Sequence, residues 1–204
     1  DAARAVDGNT DGDGDYPLFF RIVSSTSNAT DTVLEAIDVN ADRALSFGPG
    51  ASNQAEPGGT VDYPASLSND GNVAETLEIT SSNSATGFSH TVRIDTTGDG
   101  VADTELGNLV GAGPAFTPVA PISVRLADGS TVTITVENAD TDAFPELVVP
   151  PGIDLPFLVT VLAPSTASAS GTDTMTLQAT NMDAATAAPD AGVAFVTDIV
   201  NGNV

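Results

Sequence analysis

Apolar and polar residues alternate with a period of two along most of the chain, and the spacing typical of helices is almost absent. Such alternation is typical of strands that bury one face and expose the other. In the clearest run, four side chains share the side predicted to face a core: Val61, Tyr63, Ala65 and Leu67. The same pattern predicts further strands at Leu77–Ile79, Val92–Ile94, Ile122–Leu126, Val132–Val136, Phe157–Val161, Met175–Ala179 and Val193–Val200.

Turn-forming residues separate these runs. Asp128-Gly129 joins two neighbouring runs and is a strong signal for a two-residue β-hairpin. Asn69–Asn72 and Pro150–Gly152 mark further turns. Residues 30–39 are also predicted as a strand rather than a helical turn. Short strands at this spacing predict an all-β protein built as an antiparallel β-sandwich.

Three segments carry a family resemblance: PGGTVDYPASLSNDGNVAETLEI at 57–79, GFSHTVRIDTTGDGVADTEL at 87–106, and the Pro-Gly turn with two Thr-rich strands at 148–180. In this order they resemble the Ig-like "conserved repeat" domains of bacterial cell-surface proteins, over residues 57–199. The resemblance implies an Ig-like sandwich on a cell surface and no catalysis.

The predicted organisation has three parts. Residues 1–16 form an acidic, Asp/Gly-rich segment, residues 17–56 an N-terminal extension, and residues 57–204 the Ig-like β-sandwich. The extension contains the apolar run Pro17–Val23. One interpretation makes this run an ordinary first strand of the sandwich. The other makes it a donor strand that completes the sheet of a neighbouring copy, with subunit contacts from Leu18, Phe19, Phe20, Ile22 and Val23.

The formal net charge of −23 limits the possible partners. Nucleic acid and anionic membranes would be repelled, and the chain has no basic patch to overcome that repulsion. A charge of this size also opposes compact packing unless cations screen it. A salty or divalent-rich surrounding is therefore expected.

The chain contains no cysteine, and all five of its Lys and Arg residues are arginine. Disulfides and Lys–Asn isopeptide bonds are therefore excluded, so any assembly must be non-covalent. No run of about 18 apolar residues is present, so no membrane-spanning helix is predicted.

Residues 95–103 have the spacing of an EF-type calcium loop. Ligand positions 1, 3, 5, 7 and 9 would be taken by Asp95, Thr97, Asp99, the carbonyl of Val101, and Asp103. Gly100 takes the sharp-turn position, whereas position 12 is Leu106 instead of glutamate, with Glu105 beside it. We expect weak calcium binding here; the alternative is a polar turn without an ion.

A second loop, residues 7–15, repeats this spacing. Its candidate calcium ligands are Asp7, Asn9, Asp11, Asp13 and Asp15. The alternative interpretation of this segment is a solvated linker.

No catalytic set is predicted. His90 is the only histidine, and it alternates with Val92 and Ile94, so we expect a packed or hydrogen-bonded side chain. Asn28-Ala29-Thr30 is a candidate N-glycosylation site, which makes glycans possible partners.

The sequence therefore predicts a non-enzymatic, extracellular structural subunit of a pilus-like surface filament or surface layer. Copies of the chain would form a homopolymer by strand addition, and calcium would stiffen the loops. One rival is an adhesin or carbohydrate-binding module of a larger secreted surface protein, and another is an accessory domain of a secreted hydrolase.

Overall fold

The computed structural model describes residues 16–37, 41–97, 101–106, 121–126, 128–138, 140–182 and 190–200. The chain divides into two compact units, Asp1–Asp42 and Arg43–Val204. All regular elements in the described residues are strands, which confirms the predicted all-β class. No helix of membrane-spanning length and hydropathy occurs among them.

The described residues of the first unit contain an antiparallel hairpin. Strands β1 (Tyr16–Val23) and β2 (Thr30–Ile37) pair along their whole length, from Tyr16 opposite Ile37 to Val23 opposite Thr30. The turn closes through the Ser24 amide, which donates to the Ala29 carbonyl at 2.8 Å. The strand expected at 30–39 is thus confirmed over residues 30–37, and residues 38 and 39 lie outside the described residues. The interpretation of β1 as an ordinary first strand of the sandwich is wrong, because β1 pairs with β2 in a sheet of their own.

The second unit contains the remaining strands. These are β3 (Leu45–Gly48), β4 (Ala51–Ala55), β5 (Thr60–Asn69), β6 (Glu75–Asn83), β7 (Ser89–Ile94), β8 (Thr104–Glu105), β9 (Ile122–Arg125), β10 (Thr131–Glu137), β11 (Glu146–Val149), β12 (Ile153–Leu162), β13 (Thr172–Asn181) and β14 (Ala191–Ile199). Strands β3 and β4 precede residue 57, where the sandwich was predicted to begin, and both belong to its sheets.

The strands form two sheets. One sheet has seven strands in the order β4-β14-β13-β6-β11-β10-β9, and the other has five in the order β3-β5-β12-β7-β8. All pairs are antiparallel except β4 with β14. Since β3 lies in one sheet and β4 in the other, the chain crosses between sheets in the few residues that separate them.

Inward-facing side chains from both sheets form one core. The alternation predicted for β5 is confirmed, because Val61, Tyr63, Ala65 and Leu67 are all buried. The rings of Tyr63 and Phe195 stack across the sheets with centroids 5.2 Å apart. The Tyr63 hydroxyl donates to the Val196 carbonyl at 2.7 Å, so its polar tip is satisfied inside the core.

The predicted hairpin at Asp128-Gly129 is confirmed, although its connection is longer than the two residues expected. The Leu126 amide donates to the Ser130 carbonyl at 2.9 Å, so three residues separate these paired positions. Thr131 faces Arg125 and Val132 faces Val124 across β9 and β10. Gly129 has a φ of +84°, a conformation that glycine adopts without the steric cost of a Cβ atom.

Candidate functional site

The predicted calcium loop at 95–103 connects β7 to β8. Ile94 faces Thr104 across the two strands, and the Asp103 amide donates to the Ile94 carbonyl at 3.1 Å. This pairing brings the two ends of the loop together. Asp95 directly follows β7 and Asp103 directly precedes the adjacent strand β8. Asp99 and Gly100 lie outside the described residues.

Hydrogen bonds within the loop hold both terminal carboxylates. Asp95 is only 8% exposed, and its Oδ1 accepts from the Thr97 amide at 3.0 Å. Asp103 Oδ1 accepts from the Thr96 hydroxyl at 2.8 Å, and this bond, with the Thr96 amide, lowers the pKa of the Asp103 carboxyl. Oxygen donors of this kind suit a hard cation such as calcium. The described part of the predicted ligand set is therefore chemically compatible with calcium.

The downstream end of the loop adds no further ligand at the EF-hand glutamate position. Leu106 is buried in the core, and its amide donates to the Val92 carbonyl at 3.0 Å. Glu105 is exposed in β8 and faces Arg93. Any calcium ligands must then come chiefly from residues 95–103, including the exposed Val101 through its carbonyl.

The second predicted calcium loop, with Asp7, Asn9, Asp11, Asp13 and Asp15, lies outside the described residues. Calcium binding there stays a prediction.

A carboxylate cluster that sequence reasoning missed lies where β6, β11 and β10 run side by side. Glu146 of β11 faces Glu78 of β6 on one side and Glu137 of β10 on the other. Carboxylate oxygens of Glu78, Asp140 and Asp142 lie within 4.8 Å of one another. Ligand oxygens around one calcium ion are at most about 5 Å apart, since each lies about 2.3–2.6 Å from the ion. The spacing is compatible with a cation.

Like charges and burial dominate the electrostatics of this cluster. Burial, followed by the charges of Asp142 and Asp140, raises the pKa of Glu78 to about 7. Glu146, which is fully buried beside it, raises the pKa further. At neutral pH Glu78 is thus divided between its protonated and ionised forms, and uptake of a proton or a cation offsets the repulsion.

Part of this cluster had a sequence signal. Asn138, Asp140 and Asp142 repeat the 1-3-5 spacing of the 95–103 loop. The Asp142 amide donates to Asp140 Oδ1 at 3.2 Å, and Asn138 Nδ2 donates to the Asp142 carbonyl at 2.9 Å. Glu78 lies 60 residues earlier, and only the pairing of β6 with β11 brings it to the cluster.

The hairpin exposes the residues predicted to contact another subunit. Phe20, Ile22 and Val23 are 54%, 66% and 51% exposed. Phe20 and Ile22 lie on one face of β1, since they are two residues apart, whereas Val23 lies on the other. Leu18 and Phe19 precede them in β1, paired with Glu35 and Leu34 of β2. Both faces of β1 therefore present apolar side chains to solvent.

The sequon Asn28-Ala29-Thr30 lies at the tip of the same hairpin. Asn28 is exposed, has a φ of +54°, and donates its amide to the Ser24 carbonyl at 3.1 Å. An exposed turn is the kind of position that a glycosylating enzyme can reach. Glycosylation of Asn28 stays a prediction.

His90 links the two sheets, in agreement with the expected hydrogen-bonded role. Its Nδ1 is 2.6 Å from Asn83 Oδ1, and its Nε2 is 2.6 Å from Ser81 Oγ. Asn83 Nδ2 in turn donates to the buried Asp173 at 2.6 Å. Burial lowers the pKa of His90, although the Asp173 charge opposes this shift. The neutral ring therefore holds β7 and β6 together through two hydrogen bonds.

A groove of about 390 Å³ lies between the β9–β10 turn and strands β5 and β12. Arg125 and Asp128 line one side, and Ser66 and Asp154 line the other. The remaining lining residues are Leu126, Gly152 and Pro156. The groove combines a guanidinium, two carboxylates and an apolar floor.

No known protein family model matches the chain, and no curated protein matches it.

Solved structures match the chain only at low sequence identity and low TM-score. CaCohA2 from Clostridium acetobutylicum is 14% identical with a TM-score of 0.34, over 79% of this chain and 93% of that one. The major pilin subunit BcpA of Bacillus cereus is 8% identical with a TM-score of 0.36, over 91% and 48%. A family 123 glycoside hydrolase from Clostridium perfringens is 8% identical with a TM-score of 0.40, over 78% and 27%. The chain thus spans about a quarter of that enzyme, and any functional assignment depends on the chain's own residues.

Proposed function

We propose that this chain is a structural subunit of an extracellular, pilus-like surface filament or surface layer, assembled by strand addition between copies of itself. The observation that carries the proposal is the β1–β2 hairpin, a two-stranded sheet with exposed Phe20, Ile22 and Val23. An isolated two-stranded hairpin is marginally stable in water. Exposed apolar patches are typical of interaction sites. Contact with a second copy would stabilise the hairpin and cover its apolar faces.

The composition supports a non-covalent polymer. Without cysteine or lysine, neither disulfides nor Lys–Asn isopeptide bonds can join the copies. Strand addition supplies main-chain hydrogen bonds instead, and alternate side chains give the contact its specificity. A contact between two different surfaces, repeated from copy to copy, produces an open filament when the rotation does not close.

The proposed subunit catalyses no reaction. Both ring nitrogens of His90 take part in hydrogen bonds that join β6 and β7. Three of the six buried polar residues in the described part of the chain, Asn69, Glu75 and Asp173, hydrogen-bond to strand ends and turns of the sandwich. These contacts serve to hold the body of the subunit together.

Calcium has a mechanical role in the proposal. An ion held by the 95–103 loop would neutralise Asp95 and Asp103 and fix the connection between β7 and β8. The affinity is expected to be weak, of the order of the millimolar values of extracellular calcium modules.

Deletion of residues 1–24, which removes β1, tests the proposed assembly. We expect the intact chain to form large species in sedimentation velocity at high salt, and the deleted chain to sediment as a monomer. The sandwich should stay folded in both, because all of its strands begin after residue 42.

Point variants test the apolar contact without shortening the chain. Phe20→Ser with Ile22→Ser should abolish assembly, whereas Thr32→Ser, an exposed position of β2, should leave it unchanged. Polymers formed equally well by the deleted chain or by the Phe20/Ile22 variant would refute assembly through the hairpin.

The groove at Arg125 supports a second candidate function, that of a carbohydrate-binding module. Guanidinium and carboxylate groups hydrogen-bond sugar hydroxyls, and Leu126 and Pro156 offer an apolar surface for the C–H face of a ring. Glycan-array binding that is lost in Arg125→Ala and kept in Arg93→Ala would support this candidate. Absence of binding to any glycan would remove it.

A further inference from the structure

Within the described part of the chain, four strands end the two sheets of the sandwich, and they differ in how well they could accept another strand. The edges are β4 and β9 in the seven-stranded sheet, and β3 and β8 in the five-stranded sheet. Strand β4 has five residues, β3 and β9 have four each, and β8 has two. Since strand addition gains affinity from main-chain hydrogen bonds along the edge, β4 offers the longest template.

Strand β4 also lacks the features that protect natural edge strands. Ser52, Asn53 and Gln54 are exposed and uncharged, and β4 contains no proline. Proteins usually block free edges with charged side chains, proline or very short strands. By contrast, β9 ends at the exposed Arg125, and β3 runs into Pro49, which has no amide hydrogen to donate.

The exposed side chains of β4 and one residue of β14 form a shallow surface groove. A groove of about 340 Å³ is lined by Ser52, Asn53, Gln54 and Asp198. Asp198 belongs to β14 and faces Gln54 in register, so it lies one strand inward from the outer edge of β4. The long side chain of an arginine on a strand added at that edge can extend over β4 toward it. The groove therefore combines uncharged hydrogen-bonding side chains with one carboxylate.

The charges of the hairpin favour β1 over β2 as the strand that docks there. Arg21 of β1 is exposed, and it is the only charged residue in that strand. Strand β2 carries Asp31 and Glu35, which Asp198 would repel. Strand β1 pairs only with β2 among the described residues, so its opposite edge is available for pairing.

We propose that β1 of one copy pairs along β4 of a second copy, with Arg21 close to Asp198. This inference rests on the proposed function and identifies the acceptor edge. The contact would place the hairpin at the end of the seven-stranded sheet, which would then contain nine strands from two copies. Because β1 and β4 are different surfaces, the same contact can repeat along a filament.

Single-cysteine variants provide a direct test, since the chain has no native cysteine to interfere. An affinity-tagged Ile22→Cys protein is mixed with an equal amount of untagged Ser52→Cys, Asn53→Cys or Gln54→Cys protein under mild oxidation. The three β4 positions cover alternative registers, because a disulfide requires Cα atoms about 4.4–6.8 Å apart. All four positions are exposed. A thermal melt of each variant is recorded first, to establish that it folds. The controls replace the β4 variant by Ser46→Cys in β3 or Ser123→Cys in β9.

The expected result is a disulfide-linked heterodimer on a denaturing, non-reducing gel with at least one β4 variant, several-fold above both controls. Mass spectrometry identifies the bridge, and the tag on one protein shows that it joins two copies. Electron microscopy of the same mixtures records whether filaments form. Filaments without β1–β4 heterodimers, or with stronger linkage to β3 or β9, would overturn this acceptor and leave the proposed function standing. Absence of heterodimers in these mixtures, together with absence of filaments from the unmodified chain under the same conditions, would overturn both.

Discussion

At the scale of single residues, one ion pair fixes the start of the sandwich unit. Glu75 is fully buried, and its Oε2 accepts from Arg43 Nη1 at 2.7 Å and from Asn181 Nδ2. Glu75 lies on β6 opposite Val149, and Arg43 is the first residue of the unit. A buried carboxylate requires such partners, because an uncompensated charge in a protein interior is strongly destabilising.

Removal of the cation should therefore be costly. We expect Arg43→Ala to lower the free energy of unfolding by about 3–5 kcal/mol, since it leaves the Glu75 charge buried without its counter-ion. The measurement is urea denaturation at pH 7. Addition of Glu75→Gln should recover part of the loss, because it removes the stranded charge. A single Arg43→Ala variant as stable as the wild type would show that the ion pair contributes nothing.

Because the pKa of Glu78 is raised, we expect its effect on folding stability to depend on pH in the opposite direction from that of an ion-paired carboxylate. Its pKa rises from the ordinary 4.5 to about 7 in the folded chain, so between these values the folded state binds more protons than the unfolded state. Its contribution to stability is then fully present below pH 4.5 and is lost as the pH rises to about 7. Glu78→Gln should remove this loss.

The difference in melting temperature between Glu78→Gln and the wild type reports on Glu78 alone, since the other carboxylates are the same in both proteins. At pH 8 we expect Glu78→Gln to raise the melting temperature by a few degrees, since about 1 kcal/mol corresponds to about 2–4 °C in a chain of this size. At pH 4.5 the two proteins should melt at similar temperatures. An equal difference at both pH values would contradict the raised pKa, and Glu137→Gln serves as a control.

At the scale of elements, strands and turns that depend on local sequence could be predicted, whereas their partners could not. The alternation in β5, β12 and β13 and the turn at Gly129 are local signals, and all are confirmed. Strands β5 and β6 follow each other in sequence but lie in different sheets. Their separation depends on pairing with distant strands, which alternation does not encode.

The cluster at Glu78 could not be predicted for the same reason, because it depends on the pairing of strands distant in sequence. Its two aspartates are two positions apart and repeat a recognisable spacing, but Glu78 lies beside them only because β6 pairs with β11. The parallel pairing of β4 with β14 joins residues more than 140 positions apart in the chain, and no local sequence pattern indicates it.

The β7–β8 connection gives a test of calcium binding at this scale. Calcium chloride should raise the melting temperature of the wild type relative to magnesium chloride at equal ionic strength, because a ligand that binds only the folded state stabilises it. Asp95→Asn with Asp103→Asn should abolish the rise, since asparagine keeps the hydrogen bonds of the turn but carries no charge. The control is Asp154→Asn, an exposed acid in β12. A calcium response that is unchanged in the loop variant would exclude this site.

At the scale of the whole molecule, charge opposes the assembly that the hairpin favours. Each copy carries a formal charge of −23, so two copies repel each other over a distance set by ionic strength. Screening shortens that range to about 8 Å at physiological salt and about 3 Å at 1 M salt. The β1 contact, whose charges are limited to the proposed pair of Arg21 and Asp198, becomes effective once the repulsion between the copies is screened.

Assembly should therefore depend steeply on salt. We expect monomers at low ionic strength, and a critical concentration for polymer formation that falls several-fold as sodium chloride rises from 50 mM to 1 M, measured by light scattering and sedimentation. The Phe20/Ile22 serine variant should stay monomeric throughout the series. Polymers that dissolve as salt is added would indicate a contact held by ionic attraction instead of apolar strand pairing.

The most direct test of the central claim is electron microscopy of the purified intact chain at high salt with calcium. We expect regular filaments or sheets with a repeat of one subunit, in which density connects the hairpin of each copy to the sandwich of the next. Dispersed monomers at every protein and salt concentration would contradict it.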